Sequence, residues 1–179
     1  TPDWMEEMLQ NCQQENVAAV GAKLYYPDDT IQHAGVVLGL GGIAGHIMCR
    51  ASKEAPGYFG RMISVQEISA VTAACMMVKK SDFDAVGGLD ETFQVAFNDI
   101  DLCMKFRAAG KKIIFTPYAE LYHYESKSRG LEDTPEKQFR FDKEVKRFQE
   151  KWAQQLEMGD PYYSPNLSVT EGDCSLRED

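Results

Sequence analysis

Paired cysteines are missing. The five cysteines are scattered, and the nearest two, Cys49 and Cys75, lie 26 residues apart. No CxxC motif for zinc or redox work exists. The scatter fits small buried hydrophobes in a reducing compartment. Basic charge is also short: 19 Lys and Arg against 28 Asp and Glu leave a formal charge of −9. A general nucleic-acid binder needs a basic stripe, so nucleic acid is set aside as a partner. Long apolar runs are absent. The most apolar stretch, 34–45, is glycine-rich and well short of the ~20 residues a membrane helix needs. The opening Thr1-Pro2-Asp3-Trp4 has no basic segment and no cleavage site, so it reads as no signal peptide. Without an initiating methionine it reads as a processed chain or an excised piece. The expected location is cytoplasmic, at the membrane face if near a membrane at all. Histidine is sparse: His33, His46 and His123 form no local zinc motif.

What remains is globular. Hydrophobic residues make up 44% of the 179 and charged residues 26%, which excludes bulk disorder. A chain of this length forms one domain and needs no disulfide or metal merely to fold. Thr1-Pro2-Asp3 predicts a helix to about Gln13, with Met5, Met8, Leu9 and Cys12 inward. Strands are predicted over 17–24 and 31–38, around a turn at Tyr26-Pro27-Asp28-Asp29. A glycine loop follows, and 46–66 read as irregular. The apolar run 69–78 predicts a buried strand. Ser81 with Asp84 reads as a capping box for a short helix closed at Gly87-Gly88. Asn98 is the expected N-cap of a helix that ends at Gly110, and Pro117 the expected stop of a strand from Lys112. Thr134-Pro135-Glu136 opens the strongest helix, with Phe141, Val145, Phe148, Trp152 and Leu156 as its apolar stripe. Residues 1–156 form the expected domain. Residues 157–179, with six acids against Arg177 alone, are expected as an acidic extended tail that wraps or dangles.

Four places carry chemistry. Asn98-Asp99-Ile100-Asp101 opens a helix, where free N–H groups and the dipole favour ionised carboxylates. Two carboxylates two residues apart point about 200° apart at ~100° per residue, so they do not make one paired site. One can do chemistry while the other braces; simple capping is the competing reading. His123, just past a strand, is a ligand only if a site is completed from elsewhere. Gly39-Leu40-Gly41-Gly42-Ile43-Ala44 matches a dinucleotide fingerprint in letters, but no helix with amphipathic spacing follows. The loop Ser126-Lys127-Ser128-Arg129-Gly130 has the cations and hydroxyls to hold a phosphate or sugar.

Taken in order, several segments resemble the acceptor half of a family-two glycosyltransferase. They are 74–78, Phe83 to Phe93 around Gly87-Gly88-Leu89-Asp90-Glu91, Phe97-Asn98-Asp99-Ile100-Asp101-Leu102-Cys103, and Phe106-Arg107-Ala108-Ala109-Gly110. Thr116-Pro117-Tyr118 through His123 and the loop 126–130 complete the set. The likeness runs from Thr1 to about Leu167, and is nearest to bacterial members that build rhamnose-containing surface polysaccharides. It implies an α/β, partial GT-A fold: a mixed sheet flanked by helices, with the N-terminal nucleotide-binding half and its Asp-x-Asp-like metal motif absent from this sequence. It also implies inverting transfer from a nucleoside-diphosphate sugar to a saccharide acceptor, with a divalent metal (Mn or Mg) in the full-length enzyme. Asp99 matches the base. Asn98 stands where many members have Glu, and His123 matches a histidine that completes the metal site in some. Asp101 is assigned to bracing or acceptor contact. Asp90, Glu91, Asn98 and Arg129 are assigned to the acceptor. A sugar hydroxyl is a poor nucleophile at neutral pH, so a positioned carboxylate must take its proton. The isolated chain is then expected to be inactive and without bound metal, and to self-associate through the face left open. The alternative is a non-catalytic carbohydrate-binding or scaffolding module on the same fold.

Overall fold

The computed structural model describes residues 1–124 and 134–178. Its centre is β1 (Val17–Tyr25), whose nine residues are all buried. A strand buried on both faces reads as a continuous apolar run, which is what Val17-Ala18-Ala19-Val20 supplies. β7 (Lys112–Tyr122) pairs parallel along one edge of β1. The short strands β2 (Ile31–His33) and β6 (Met76–Val78) share the other edge, both antiparallel. β5 (Gln66–Ile68) pairs antiparallel with the far side of β7. β5 covers only Ile113–Phe115 of β7 on that side. A separate hairpin joins β3 (Val36–Leu38) to β4 (Ala44–His46).

This is the expected mixed sheet flanked by helices. α1 (Trp4–Cys12) covers one face, where Met8 and Cys12 join Val17, Val20, Leu24 and Ile114. α3 (Asn98–Ala108) and α4 (Pro135–Lys151) belong to the larger core opposite, through Cys103, Phe106 and Phe148. α2 (Lys80–Ala85) and α5 (Ala153–Met158) are short.

Several local expectations are corrected by tertiary context. Met5 and Leu9 of α1 are exposed; the helix buries a narrower stripe than its apolar content allows. The predicted strand 31–38 breaks at Gly35, whose φ of 109° turns the chain into the hairpin. The run 69–78 is interrupted by a 3-10 turn over Ala73–Cys75, capped by the Thr72 hydroxyl. No capping box forms at Ser81: the chain leaves β6 extended through Lys79 and enters α2 directly. Pro117 does not end its strand. Thr116 pairs with Ala22 and Glu120 with Lys23, so residues 117–119 bulge out and the missing proline N–H costs the ladder nothing.

Residues after α5 pack along the β3–β4 hairpin. The Asp160 carboxylate accepts from Leu38 N at 2.8 Å, Val169 O accepts from Gly41 N at 2.8 Å, and Gly172 O from Met48 N at 2.6 Å. Tyr163, Leu167 and Cys174 are buried beneath this wrap. No described helix is long and apolar enough to cross a membrane.

Candidate functional site

α3 starts where aromatic packing forces it to. Phe97, not Asn98, is the N-cap; it sits in the left-handed region at φ 63°. That conformation is unfavourable for a bulky residue. It is offset by the ring, which packs 5.6 Å from Phe141 and 5.3 Å from Phe148, centroid to centroid. The turn sets Asn98 and Asp99 at the first two helical positions.

Asp99 is half-buried on the wall of a cleft of about 750 Å³ that also takes in Val36, His46, Thr72, Phe141 and Thr170. One Asp99 oxygen accepts from Ala73 N at 2.9 Å and the other from Ile100 N at 2.8 Å. The carboxylate thus braces its own helix start against the turn after Thr72. Each oxygen keeps a further lone pair.

Asp101 points elsewhere, as the 200° separation requires. It is fully buried and binds Lys151 Nζ at 2.7 Å and Trp152 Nε1 at 2.9 Å. Lys105 Nζ stands 3.5 Å from its second oxygen. Of its two assigned roles, the geometry carries bracing; the carboxylate does not reach the cleft. Asp90 is tied into the same cluster: Lys151 Nζ lies 2.8 Å from one oxygen, and Thr92 N and Oγ1 bind the other. The Lys151 bond, then the Thr92 bonds, hold its carboxyl well below the usual range. Lys151 itself is raised: burial opposes its charge, but the bonds to Asp101 and Asp90 outweigh that.

Asn98 is half-buried and Glu91 exposed, and neither Asn98, Asp90 nor Glu91 lines the cleft. Arg129 and its loop lie outside the described residues. His123 Nδ1 meets Gln32 Oε1 at 2.8 Å. Among the described residues no group of three or more His, Cys, Asp or Glu is arranged to hold a metal ion. The described residues thus offer the expected divalent metal no complete site of their own, and no step is derived through it.

Two side chains gain weight that spacing alone did not give them. Glu144, on the apolar side of α4, is buried and accepts from Gln94, Val95 and Ala96 N–H at 2.9, 3.3 and 2.7 Å. It fixes the segment whose Val95 and Ala96 form part of the cleft. An acid on the inward face of an amphipathic helix was the available signal. His46, one of three scattered histidines, lines the cleft and stacks edge-on to the buried His33. The glycine loop 39–44 is the tight connection of the β3–β4 hairpin, and its Leu40, Gly41, Ile43 and Ala44 line the same cleft as Asp99.

No family model matches the chain. It is 55% identical over 176 residues to the uncharacterized protein y4gI of Sinorhizobium fredii, covering 98% of this chain and 19% of that protein. It is 38% identical over 178 residues to the O-antigen biosynthesis protein RfbC of Myxococcus xanthus, covering 98% of this chain and 14% of the relative. Over 67 residues it is 31% identical to the N-acetylglucosaminyl-diphospho-decaprenol L-rhamnosyltransferase of Mycobacterium tuberculosis, covering 37% of this chain and 22% of that enzyme. The chain thus spans at most about a fifth of the length of these relatives.

Proposed function

We propose that this chain is the acceptor-side part of an inverting glycosyltransferase of surface-polysaccharide synthesis, with Asp99 as the general base. The relatives named for O-antigen biosynthesis and for rhamnosyl transfer support the reaction class. The observation that carries the site is the Asp99 carboxylate, held at a helix start on the wall of a sugar-sized cleft. Asp99 accepts the proton of an acceptor hydroxyl as that oxygen forms its bond to the anomeric carbon. The electron pair of the breaking glycosyl–phosphate bond leaves with the nucleoside diphosphate. The step begins from the carboxylate form, which can take the proton as the bond forms. We place the donor and the divalent metal, Mn or Mg, with residues beyond those described.

One observation favours the non-catalytic alternative. Both Asp99 oxygens already accept backbone N–H bonds, as a purely structural cap would. Asp99→Asn in the protein that carries this chain separates the readings. Loss of transfer with donor affinity unchanged supports the base. Loss of both together places Asp99 at the nucleotide instead, and unaltered transfer leaves it a cap.

A further inference from the structure

Most of the wall around Asp99 is apolar. Of the sixteen described residues that line the cleft, nine carry apolar side chains and four carry polar ones: His46, Thr72, Asp99 and Thr170. Two of those four are engaged with neighbours. Thr170 Oγ1 lies 2.8 Å from Ser168 Oγ, and His46 Nδ1 lies 2.8 Å from His33 Nδ1. Backbone groups of the hairpin connection are engaged as well: Gly41 N–H donates to Val169 O, and Ile43 O accepts from Gly39 N. Leu40 and Ile43 line the cleft from that connection, and Ile100 and Phe141 line it from the helices.

Phe141 has a particular setting. It belongs to the apolar stripe of α4, yet it is 41% exposed. Its ring packs 5.6 Å from the buried Phe97, tilted by 34°, and Phe97 precedes Asp99 by two residues. One turn of chain thus anchors both an aromatic surface and a carboxylate. A ring already held in place loses little freedom when a ligand settles on it.

A hexose carries a hydroxyl on nearly every carbon. Each hydroxyl buried against apolar walls gives up water without a new partner, which is costly. A 6-deoxyhexose has a methyl group in place of one hydroxyl, and that methyl gains by leaving water. Resting on the glycosyltransferase reading, we infer that the cleft takes a 6-deoxyhexose as the acceptor residue. The methyl group and the C–H face of the sugar lie against the apolar wall, with Phe141 as their platform. A hydroxyl on the other edge meets Asp99, whose carboxylate orients the ring as a lone polar group does in an apolar pocket. Phe141 is on this account a specificity-determining residue.

The test uses two pairs of free sugars that differ only at C6: L-rhamnose with L-mannose, and L-fucose with L-galactose. Each is titrated into the ¹⁵N-labelled chain while the Ala73 and Ile100 amides, which donate to Asp99, are followed. In at least one pair the 6-deoxy sugar should bind about tenfold more tightly than its parent, within what an added hydroxyl costs in an apolar pocket. Phe141→Leu keeps apolar bulk against Phe97 but removes the ring face, and it should weaken that binding about fivefold; Phe141→Tyr keeps the face and should preserve it. Equal binding within both pairs, or tighter binding of the parents, overturns the inference and leaves the cleft reading standing. Unchanged affinity in Phe141→Leu does the same. Silence of both amides toward all four sugars overturns the inference and the cleft reading together.

Discussion

Lys151 joins two carboxylates that sequence spacing leaves unrelated, Asp90 after the double glycine and Asp101 inside α3. Lys151→Met should cost about 3 kcal/mol or more, because it strands the fully buried Asp101 charge. Urea unfolding would measure it, and a loss below 1 kcal/mol would deny the cluster its importance. The same geometry gives a pH dependence. Asp90 is depressed in the folded state by the Lys151 and Thr92 bonds, so its contribution is fully present above its unfolded value of about 3.9. It is lost as pH falls through the lower folded value. Unfolding free energy should fall more steeply below about pH 4 in the unsubstituted protein than in Asp90→Asn. At this scale the sequence was legible for Asp99, since a carboxylate at a helix start has few places to point. It turned Asp101 away from Asp99 but did not name its partner Trp152, nor the His33–His46 contact, because partners 51 and 13 residues away are products of topology.

Elements were legible where local preference and burial agree. The apolar run of β1, the Thr134-Pro135 start of α4 and the Gly110 stop after α3 are where the letters place them. They were misread where a distant surface decides. Phe97 takes the cap position from Asn98 because two aromatic rings await it, and Pro117 passes through β7 in a bulge that only the partner strand accommodates. Gly21 is the clearest case of such outside control. A Cβ there would lie 2.4 Å from a Val71 methyl carbon, so β1 and the segment before Thr72 approach too closely for a side chain. Gly21→Ala should destabilise by about 1–3 kcal/mol, and Val71→Ala in the same chain should recover part of it. Thermal unfolding of the single and double variants would show this; additive losses would refute the contact. Glu144→Ala should cost about 2 kcal/mol, since it leaves the Gln94, Val95 and Ala96 N–H groups without their acceptor. It should also weaken saccharide binding at the cleft, which an amide-shift titration would register.

For the whole molecule, the mixed sheet between helices was expected from the resemblance of its segments in order, and the sheet β2-β1-β7-β5 with β6 beside β1 agrees with it. For the final segment, composition left wrapping and dangling both open, and the hydrogen bonds from Leu38, Gly41 and Met48 N–H to it decide for the wrap. Thr170 and Gly172 help wall the cleft that Asp99 lines. A chain ending at Met158 should melt at a markedly lower temperature and lose any response to saccharide, and a native-like melting curve would show the wrap to be dispensable. The wrap also sets an order of events at the ribosome. The strands and helices that hold Asp99 emerge first, while the residues that complete the hollow are among the last of the 179 to be translated. Until they arrive, a nascent chain displays the bare flank of the 36–46 hairpin, which makes that flank the surface a chaperone would meet.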